Sequence, residues 1–359
     1  MSDTFSTLSR SIDGHAVYRR HHIKGDGRDL FLYGFEKSVT DRVPGEDLEM
    51  NAGAELRQHP LRGDWSIYAA GRNNRTFKPS AAANPLAPSQ PGQPLTEIPF
   101  QDFELAVFGN RFPSLSKNAR APEPSNLNTV AAEGACEVIV YSPKAEGSLA
   151  TLGQDRRCLL VETWIDRYQA MFGAGCAYVL PFENRGDEVG VTLHHPHGQI
   201  YGFPVVPAPQ AYATKAFEAG YDLASEVRSW GADLKIAEAG GLVSYAPAFA
   251  RFPYEVWVSA EVPVSGPWGF DHTQADGFAH LLGDTIRRYD AFFERETPVM
   301  LTLHAAPHGR DGAFQFTAQF YPLLRGKDRV KYLASVEQST GIFTVDIMPD
   351  QTAEKLRAQ

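Results

Sequence analysis

The most informative segment of this chain is His195-Pro196-His197-Gly198-Gln199-Ile200-Tyr201. The residues before it, 189–194, lean towards apolar side chains, which predicts a strand that leads into the segment. Side chains of a strand point alternately to its two faces, so His195, His197 and Gln199 are expected on one face. Two imidazoles and an amide on one face predict a site that handles phosphate or binds a metal. The rest of the chain has to decide between these two chemistries.

The composition indicates a globular protein and excludes several classes of function. The 359 residues are enough for one large or two medium domains with a full core. A net charge of −9 argues against a nucleic-acid partner and against an anionic membrane surface. No apolar run approaches the roughly 18 residues of a membrane span, and the first residues lack the basic and apolar parts of a signal peptide. We therefore expect a cytoplasmic protein.

Two parts of the chain repeat one pattern of secondary structure. Helical spacing over 155–172 is followed by predicted strands at 178–182 and 189–195, and the helix predicted over 273–294 is followed by strands at 300–304 and 313–320. A turn with a nearby histidine separates the strands each time, at a period of about 120 residues. The pattern predicts an α+β fold of two similar halves, 1–205 and 206–359, with mainly antiparallel sheet. The other predicted elements are a helix over 211–229 and strands near 16–18, 30–35, 65–69, 105–108, 137–141, 241–245 and 254–258.

The residues around the opening segment resemble one known family. Phe182-Glu183-Asn184-Arg185-Gly186, Gly190 and Thr192 precede it at the order and spacing of the galactose-1-phosphate uridylyltransferase family, within the histidine-triad superfamily. The resemblance runs from about residue 55 to the end. Its other segments are His59-Pro60-Leu61-Arg62-Gly63-Asp64-Trp65, Val107-Phe108-Gly109-Asn110-Arg111-Phe112-Pro113, His304-Ala305-Ala306-Pro307, Phe320-Tyr321-Pro322-Leu323-Leu324-Arg325, Lys331-Tyr332, Glu337 and Thr352-Ala353-Glu354-Lys355-Leu356-Arg357.

The resemblance implies two fused histidine-triad-like halves and an enzyme of galactose metabolism. Such an enzyme moves UMP from UDP-glucose to galactose 1-phosphate by a ping-pong reaction, in which a neutral imidazole is first the nucleophile and then the leaving group. By resemblance His197 is the nucleophile and the backbone carbonyl of His195 fixes its tautomer. Gln199 and Thr192 donate hydrogen bonds to the phosphoryl group. Hydrolases of the superfamily carry a third histidine where Gln199 stands, so this amide favours a transferase or a phosphorylase.

The resemblance also implies substrate contacts and partners. Positive charge near the phosphates is expected from Arg72 and Arg75. We expect a homodimer that builds its sites from both subunits, with UDP-glucose and galactose 1-phosphate as ligands and neither nucleic acid nor membrane as a partner. Uridine diphosphate contacts are expected from Asn110, Asn184 and Gly190, and hexose contacts from Lys331 and Glu337.

The metal ligands of the family are mostly missing from this chain. Many relatives hold zinc with a cysteine pair, a histidine and the residue that matches His195; here Asn84, Ala87 and Ala145 stand at the other three positions. A structural zinc normally needs four ligands, so one histidine is not enough. We therefore predict that neither site holds a metal and that no cofactor is used. The second family metal site, a glutamate and three histidines, corresponds here to Ala213, His304, Thr317 and Gln319.

The sequence is compatible with more than one function. A nucleotide phosphorylase or adenylyltransferase of the same superfamily is the main alternative, and a non-catalytic nucleotide-binding relative is another. The matches at 320–325 and 331–337 favour the hexose enzyme, and the intact His197 and Gln199 argue against lost catalysis. Some residues also have a simpler role open to them, since Gly190 could serve only a turn, and Lys331 and Glu337 could form a simple ion pair.

Overall fold

The computed structural model describes residues 3–49, 54–69, 83–119, 121–123 and 126–359. Arg72 and Arg75 therefore lie outside the described residues. The strands are β1 Thr4–Ile12, β2 His15–Ile23, β3 Asp29–Gly34, β4 Glu55–Gln58, β5 Trp65–Tyr68, β6 Leu105–Gly109, β7 Thr129–Ala131, β8 Ala135–Val140, β9 Tyr178–Arg185, β10 His197–Phe203, β11 Lys235–Ala239, β12 Leu242–Tyr245, β13 Val256–Ala260, β14 Val299–His304, β15 Thr317–Pro322, β16 Leu324–Gly326 and β17 Arg329–Val330. The helices are α1 Gln154–Gly173, α2 Ala208–Glu218, α3 Leu223–Ser229, α4 Gly231–Leu234, α5 His272–Phe293, α6 Ser335–Thr340 and α7 Pro349–Arg357.

One antiparallel sheet runs through both halves of the described chain. Its twelve strands follow the order β1-β2-β3-β6-β8-β10-β9-β14-β15-β13-β12-β11. The order β8-β10-β9 is mirrored by β13-β15-β14, about 120 residues later in the chain, and the two sets join where β9 pairs with β14. The predicted α+β class with two related halves is confirmed. Strands before residue 205 lie on one side of this join and later strands on the other, while the domain boundary itself stays a prediction.

Helices α1 and α5 cover one face of the sheet. Their apolar side chains share a core cluster with Ile200 of β10 and Leu301 of β14. The first turn of α5 is closed by a capping box, in which Asp271 accepts from the backbone N–H of Gln274 and Gln274 returns a bond to Asp271. Among the described residues, no helix combines the length and the apolar character that a membrane span requires.

Two predicted elements are wrong, and backbone geometry explains both. The strand expected at 189–195 is replaced by a short 3-10 helix, Asp187–Val189, and a left-handed turn at Gly190 with φ 77°. The strand begins only at His197, because Pro196 has no N–H to donate to a neighbouring strand. The helix expected over 211–229 is split into α2 and α3 at Gly220, where φ is 96°.

At strand β10 the sheet has one face covered by helices and one open face. Gly198, Ile200 and Gly202 are buried against the helices, whereas His197 and Gln199 are only partly buried on the other face. Gly198 is required by close packing, since a Cβ there would overlap the hydroxyl of Tyr141 and approach the carbonyl oxygen of Phe182 to 3.0 Å. His195 precedes the strand, so its position follows from loop contacts rather than from strand alternation.

Candidate active site

Two cavities meet at His197. The smaller one, about 120 Å³, lies over β10 and includes Gln199, and the larger one, about 340 Å³, lies beside the start of β10 and includes Asn184. Residue His197 lines both, and the apolar side chain of Leu193 also lies between them. The imidazole is therefore placed where a ligand could cross from one cavity to the other.

The tautomer of His197 is fixed by one backbone bond. Its Nδ1 lies 2.7 Å from the carbonyl oxygen of His195. A carbonyl only accepts, so Nδ1 carries the hydrogen and Nε2 keeps its lone pair. Among the described residues, no side chain bonds to this Nε2. Burial lowers the pKa of His197 against the opposing effect of the His195 bond, which favours the neutral, nucleophilic imidazole.

His195 is held at both ring nitrogens. Its Nε2 lies 2.7 Å from the carbonyl oxygen of Ser142, and its Nδ1 lies 2.9 Å from Nδ2 of Asn84. The side chain is only 3% exposed, and burial lowers its pKa as well. The ring is thus neutral and is held by hydrogen bonds to Asn84 and Ser142, which are far apart in the sequence.

Three residues with predicted contacts to the phosphates or the nucleotide line the smaller cavity. Thr192, Gln199 and Asn110 line it together with His197. Gln199 sits two residues along the same strand face, roughly 7 Å from His197, so its amide can reach a group bound at Nε2. The smaller cavity also contains an acidic residue, Glu97, which forms ion pairs with Lys24 at 2.5 Å and with Arg28 at 2.8 Å.

Sequence reasoning missed Arg111, which also lines the smaller cavity. Its guanidinium stacks on the ring of Phe112 at 4.7 Å and has no ion-pair partner among the described side chains. By contrast, the arginines of the larger cavity are paired: Arg185 with Asp290 at 2.7 Å and Arg295 with Glu188 at 2.6 Å. The sequence offered one signal for Arg111: it is a charged residue directly after Asn110, just past the buried strand β6.

Not all predicted residues come together at His197. Gly190 forms the left-handed turn and lines neither cavity, and its predicted contact with uridine diphosphate stays a prediction. Lys331 and Glu337 form a buried ion pair of 2.6 Å and also line neither cavity of their own chain. Their roles, and those of Arg72 and Arg75, stay predictions.

The residues at the two family metal positions do not fit a metal. Both ring nitrogens of His195 are already hydrogen-bonded, and Ala87 and Ala145 carry no ligand atoms. In the second half, His304 is engaged by Thr302 at 2.9 Å on Nε2 and by Tyr178 and Gln210 at 3.2 Å on Nδ1. The described residues also contain no group of three or more His, Cys, Asp or Glu arranged for a metal ion.

The comparisons with known proteins agree with the geometry. A family model, the N-terminal domain of galactose-1-phosphate uridyl transferase, matches residues 46–207. The chain is 32% identical over 319 residues to galactose-1-phosphate uridylyltransferase of Thermotoga maritima, covering 84% of this chain and 98% of that protein. The chain belongs to the galactose-1-phosphate uridylyltransferase family. The enzyme of the same name from Streptomyces lividans is 29% identical, covering 92% of this chain and 95% of that protein.

Two further relatives bear on the fold and on the alternative function. A solved structure described as uridylyltransferase superposes with a TM-score of 0.76 at 24% identity, covering 85% of this chain and 97% of that one, which shows the family fold. ADP-glucose phosphorylase of Arabidopsis thaliana is 24% identical, covering 89% of this chain and 97% of that protein. The family identification therefore leaves the phosphorylase reaction as the alternative to test.

Glu183 is a second residue that sequence reasoning left without a role. It lines the larger cavity and accepts a 2.9 Å bond from the hydroxyl of Tyr141. Burial raises its pKa from 4.5 to about 7, while Tyr141 and Arg185 act in the opposite direction. Because the folded protein holds this proton more tightly than the unfolded chain, stability should fall as pH rises from about 4.5 to about 7.

We expect Glu183→Gln to remove this part of the pH dependence. The amide oxygen still accepts from Tyr141 but carries no proton equilibrium, so the variant should gain about 1–3 kcal/mol over wild type between pH 5 and pH 8. Urea unfolding at the two pH values measures the difference. Glu218→Gln, at a surface ion pair with Arg310, is the matched control. An identical pH trend in wild type and Glu183→Gln would contradict the assignment.

Proposed function

We propose that this protein transfers UMP from UDP-glucose to galactose 1-phosphate through a uridylyl intermediate on His197. The observation that carries the proposal is the Nε2 of His197, which no side chain of the described residues bonds and which lies at the junction of two cavities, while the Nδ1–H of the same ring donates to the His195 carbonyl. That arrangement presents one lone pair to the phosphorus of a bound ligand, and Gln199 lines the same cavity as His197.

The two steps balance without any proton transfer. The lone pair of Nε2 attacks the α-phosphorus of UDP-glucose, an N–P bond forms, the P–O bond to glucose 1-phosphate breaks, and glucose 1-phosphate leaves as an anion. His197 then carries a positive charge, which the bond from Nδ1–H to the His195 carbonyl stabilises. A phosphate oxygen of galactose 1-phosphate attacks next, the N–P bond breaks, and neutral His197 and UDP-galactose result.

The neighbouring polar groups have roles that match this chemistry. The leaving group is already an anion and needs no acid, so an amide at position 199 suffices. The Gln199 amide and the Thr192 hydroxyl donate to the non-bridging oxygens, where negative charge grows in the transition state. Asn110 lines the smaller cavity and Asn184 the larger one, and His197 lines both, which is compatible with contacts from both amides to uridine diphosphate.

The first prediction is a covalent adduct. Incubation of the wild-type protein with UDP-glucose alone should add one uridylyl group to the intact mass, and galactose 1-phosphate should discharge it. His197→Ala should form no adduct, because no other group with a free lone pair lines both cavities within the described residues. Intact-mass spectrometry measures both steps, and His308→Ala, at a histidine that lines neither cavity, is the control.

The same experiment separates the alternatives. An adenylyl adduct from ADP-glucose, discharged by inorganic phosphate, would select the phosphorylase. No adduct from either sugar nucleotide would select the non-catalytic relative. An adduct that persists in His197→Ala would refute the nucleophile.

The second prediction concerns Arg111. If its guanidinium, which has no ion-pair partner among the described side chains, binds a substrate phosphate, Arg111→Ala should lower kcat/KM for UDP-glucose about 10- to 100-fold, the cost of losing a charged hydrogen bond. Arg111→Lys should recover part of the loss, since it restores the charge without the planar donor fork. Steady-state kinetics measure the effect, with Arg310→Ala at a surface ion pair as control. Equal losses in Arg111→Ala and Arg310→Ala would contradict the assignment.

We also propose that the protein acts in the cytoplasm as a homodimer without a bound metal. Support for the dimer comes from exposed apolar side chains near Arg62 and Gln338 in the sequence, because the bond from Arg62 to the carbonyl oxygen of Gln338 brings these two segments together and exposed apolar surface is typical of subunit contacts. Lys331 and Glu337 adjoin this surface, which fits a role at the site of the other subunit. Its exposed side chains are Leu61 at 90%, Tyr332 at 75%, Val336 at 55% and Ile342 at 68%.

A further inference from the structure

The amide of Asn84 has one fixed orientation. Its Oδ1 accepts a 3.0 Å bond from the backbone N–H of Leu86, so Nδ2 must be the atom that faces His195. An N–H of the amide therefore donates to Nδ1 of His195 over 2.9 Å. Nδ1 consequently has no hydrogen, and the hydrogen of the ring is on Nε2, which donates to the carbonyl oxygen of Ser142.

The segment that carries Asn84 is anchored. Leu86, two residues later, is 2% exposed and packs in a cluster of apolar side chains from β3, β6 and β8. The backbone N–H of Ala87 returns to the carbonyl oxygen of Asn84 at 3.3 Å, and Pro85 restricts the chain between them. The amide therefore acts on His195 from a rigid support.

This support extends through His195 to the nucleophile. The ring of His195 is held at both nitrogens, and the backbone carbonyl of the same residue accepts from Nδ1 of His197. A ring that cannot rotate or change tautomer keeps its backbone in place, so the carbonyl stays directed at His197. Asn84 itself lines neither cavity, which separates this role from ligand contact.

We propose that Asn84 is a positioning residue for uridylyl transfer: its amide fixes the ring and tautomer of His195 and, through the His195 carbonyl, the direction of Nε2 of His197. The activity part of this proposal rests on the proposed function, and the tautomer part does not. Because both nitrogens of His195 are engaged, no lone pair remains for a metal ion. The positioning is done by hydrogen bonds alone.

Three variants test the proposal. Asn84→Ala removes the donor, and Asn84→Asp keeps the shape and the bond to Leu86 but presents an acceptor to Nδ1. Asn128→Ala removes an exposed amide bond to Gln58 on another sheet and serves as the control. Single-turnover formation of the UDP-glucose adduct should slow about 10- to 100-fold in both Asn84 variants, as expected for a misdirected nucleophile. Affinity for UDP-glucose should be nearly unchanged, and the control should match wild type.

The tautomer is measured independently by ¹⁵N NMR of histidine-labelled protein. Wild type should show His195 with Nε2 protonated and Nδ1 unprotonated, and Asn84→Asp should show a protonated Nδ1. If wild type forms no adduct, the proposed function is wrong. The NMR spectra still test whether Asn84 fixes the tautomer of His195.

Three results would overturn the proposal. One is an adduct formed at the wild-type rate in both Asn84 variants. Another is a loss of rate matched by an equal loss of UDP-glucose affinity or of folded protein in Asn84→Asp, which would indicate a purely structural role. The third is zinc bound in one-to-one ratio and ligated by His195 in wild type, because Nδ1 or Nε2 would then not be hydrogen-bonded as described.

Discussion

The hydrogen bond from Nδ1 of His197 to the carbonyl oxygen of His195 is the constraint on which the chemistry of this fold depends. It selects the tautomer of His197 and leaves Nε2 for the two cavities, and in the proposed mechanism it stabilises the charge that forms when Nε2 binds phosphorus. The two residues that form the bond are separated only by Pro196, where the chain passes from a loop into β10. The other hydrogen bonds of the site hold His195 in this position.

The duplicated fold makes the two halves structurally related and chemically different. In β15, Thr317 pairs with His304 and Gln319 pairs with Thr302, just as Gln199 of β10 pairs with Phe182. Thr317 therefore occupies the position that corresponds to His197 of β10. The second half keeps a hydrogen-bonded polar cluster around His304, and burial together with Arg251 lowers the pKa of that histidine to about 4. It contributes β14, which pairs with β9, and β9 in turn pairs with β10.

Much of the fold could be predicted from the sequence, and the failures have local causes. Helices α1 and α5 were placed within one or two residues because their apolar spacing is regular. The strand expected at 189–195 is absent because the prediction relied on apolar character alone. It ignored Gly190, which forms a turn, and Pro196, which cannot donate a strand hydrogen bond. Strand β10, which carries the motif, therefore begins at His197 rather than before it.

The site was predicted in part, for a similar reason. The residues within one motif, His195, His197, Gln199 and Thr192, come together because they are close in sequence. The contacts of Asn84, Ser142 and Arg111 depend on how separate loops pack on the open face, and local spacing carries no information about that. Lys331 and Glu337 line neither cavity at His197, so their predicted hexose contacts stay predictions.

The most direct test of the central claim is to identify the atom of His197 that carries the uridylyl group. Long-range ³¹P–¹⁵N correlation on the isolated, histidine-labelled adduct measures this, with His197→Ala as the blank. We predict phosphorus bonded to Nε2 of His197, with a proton retained on Nδ1. Phosphorus on Nδ1, or on another residue, would contradict the mechanism.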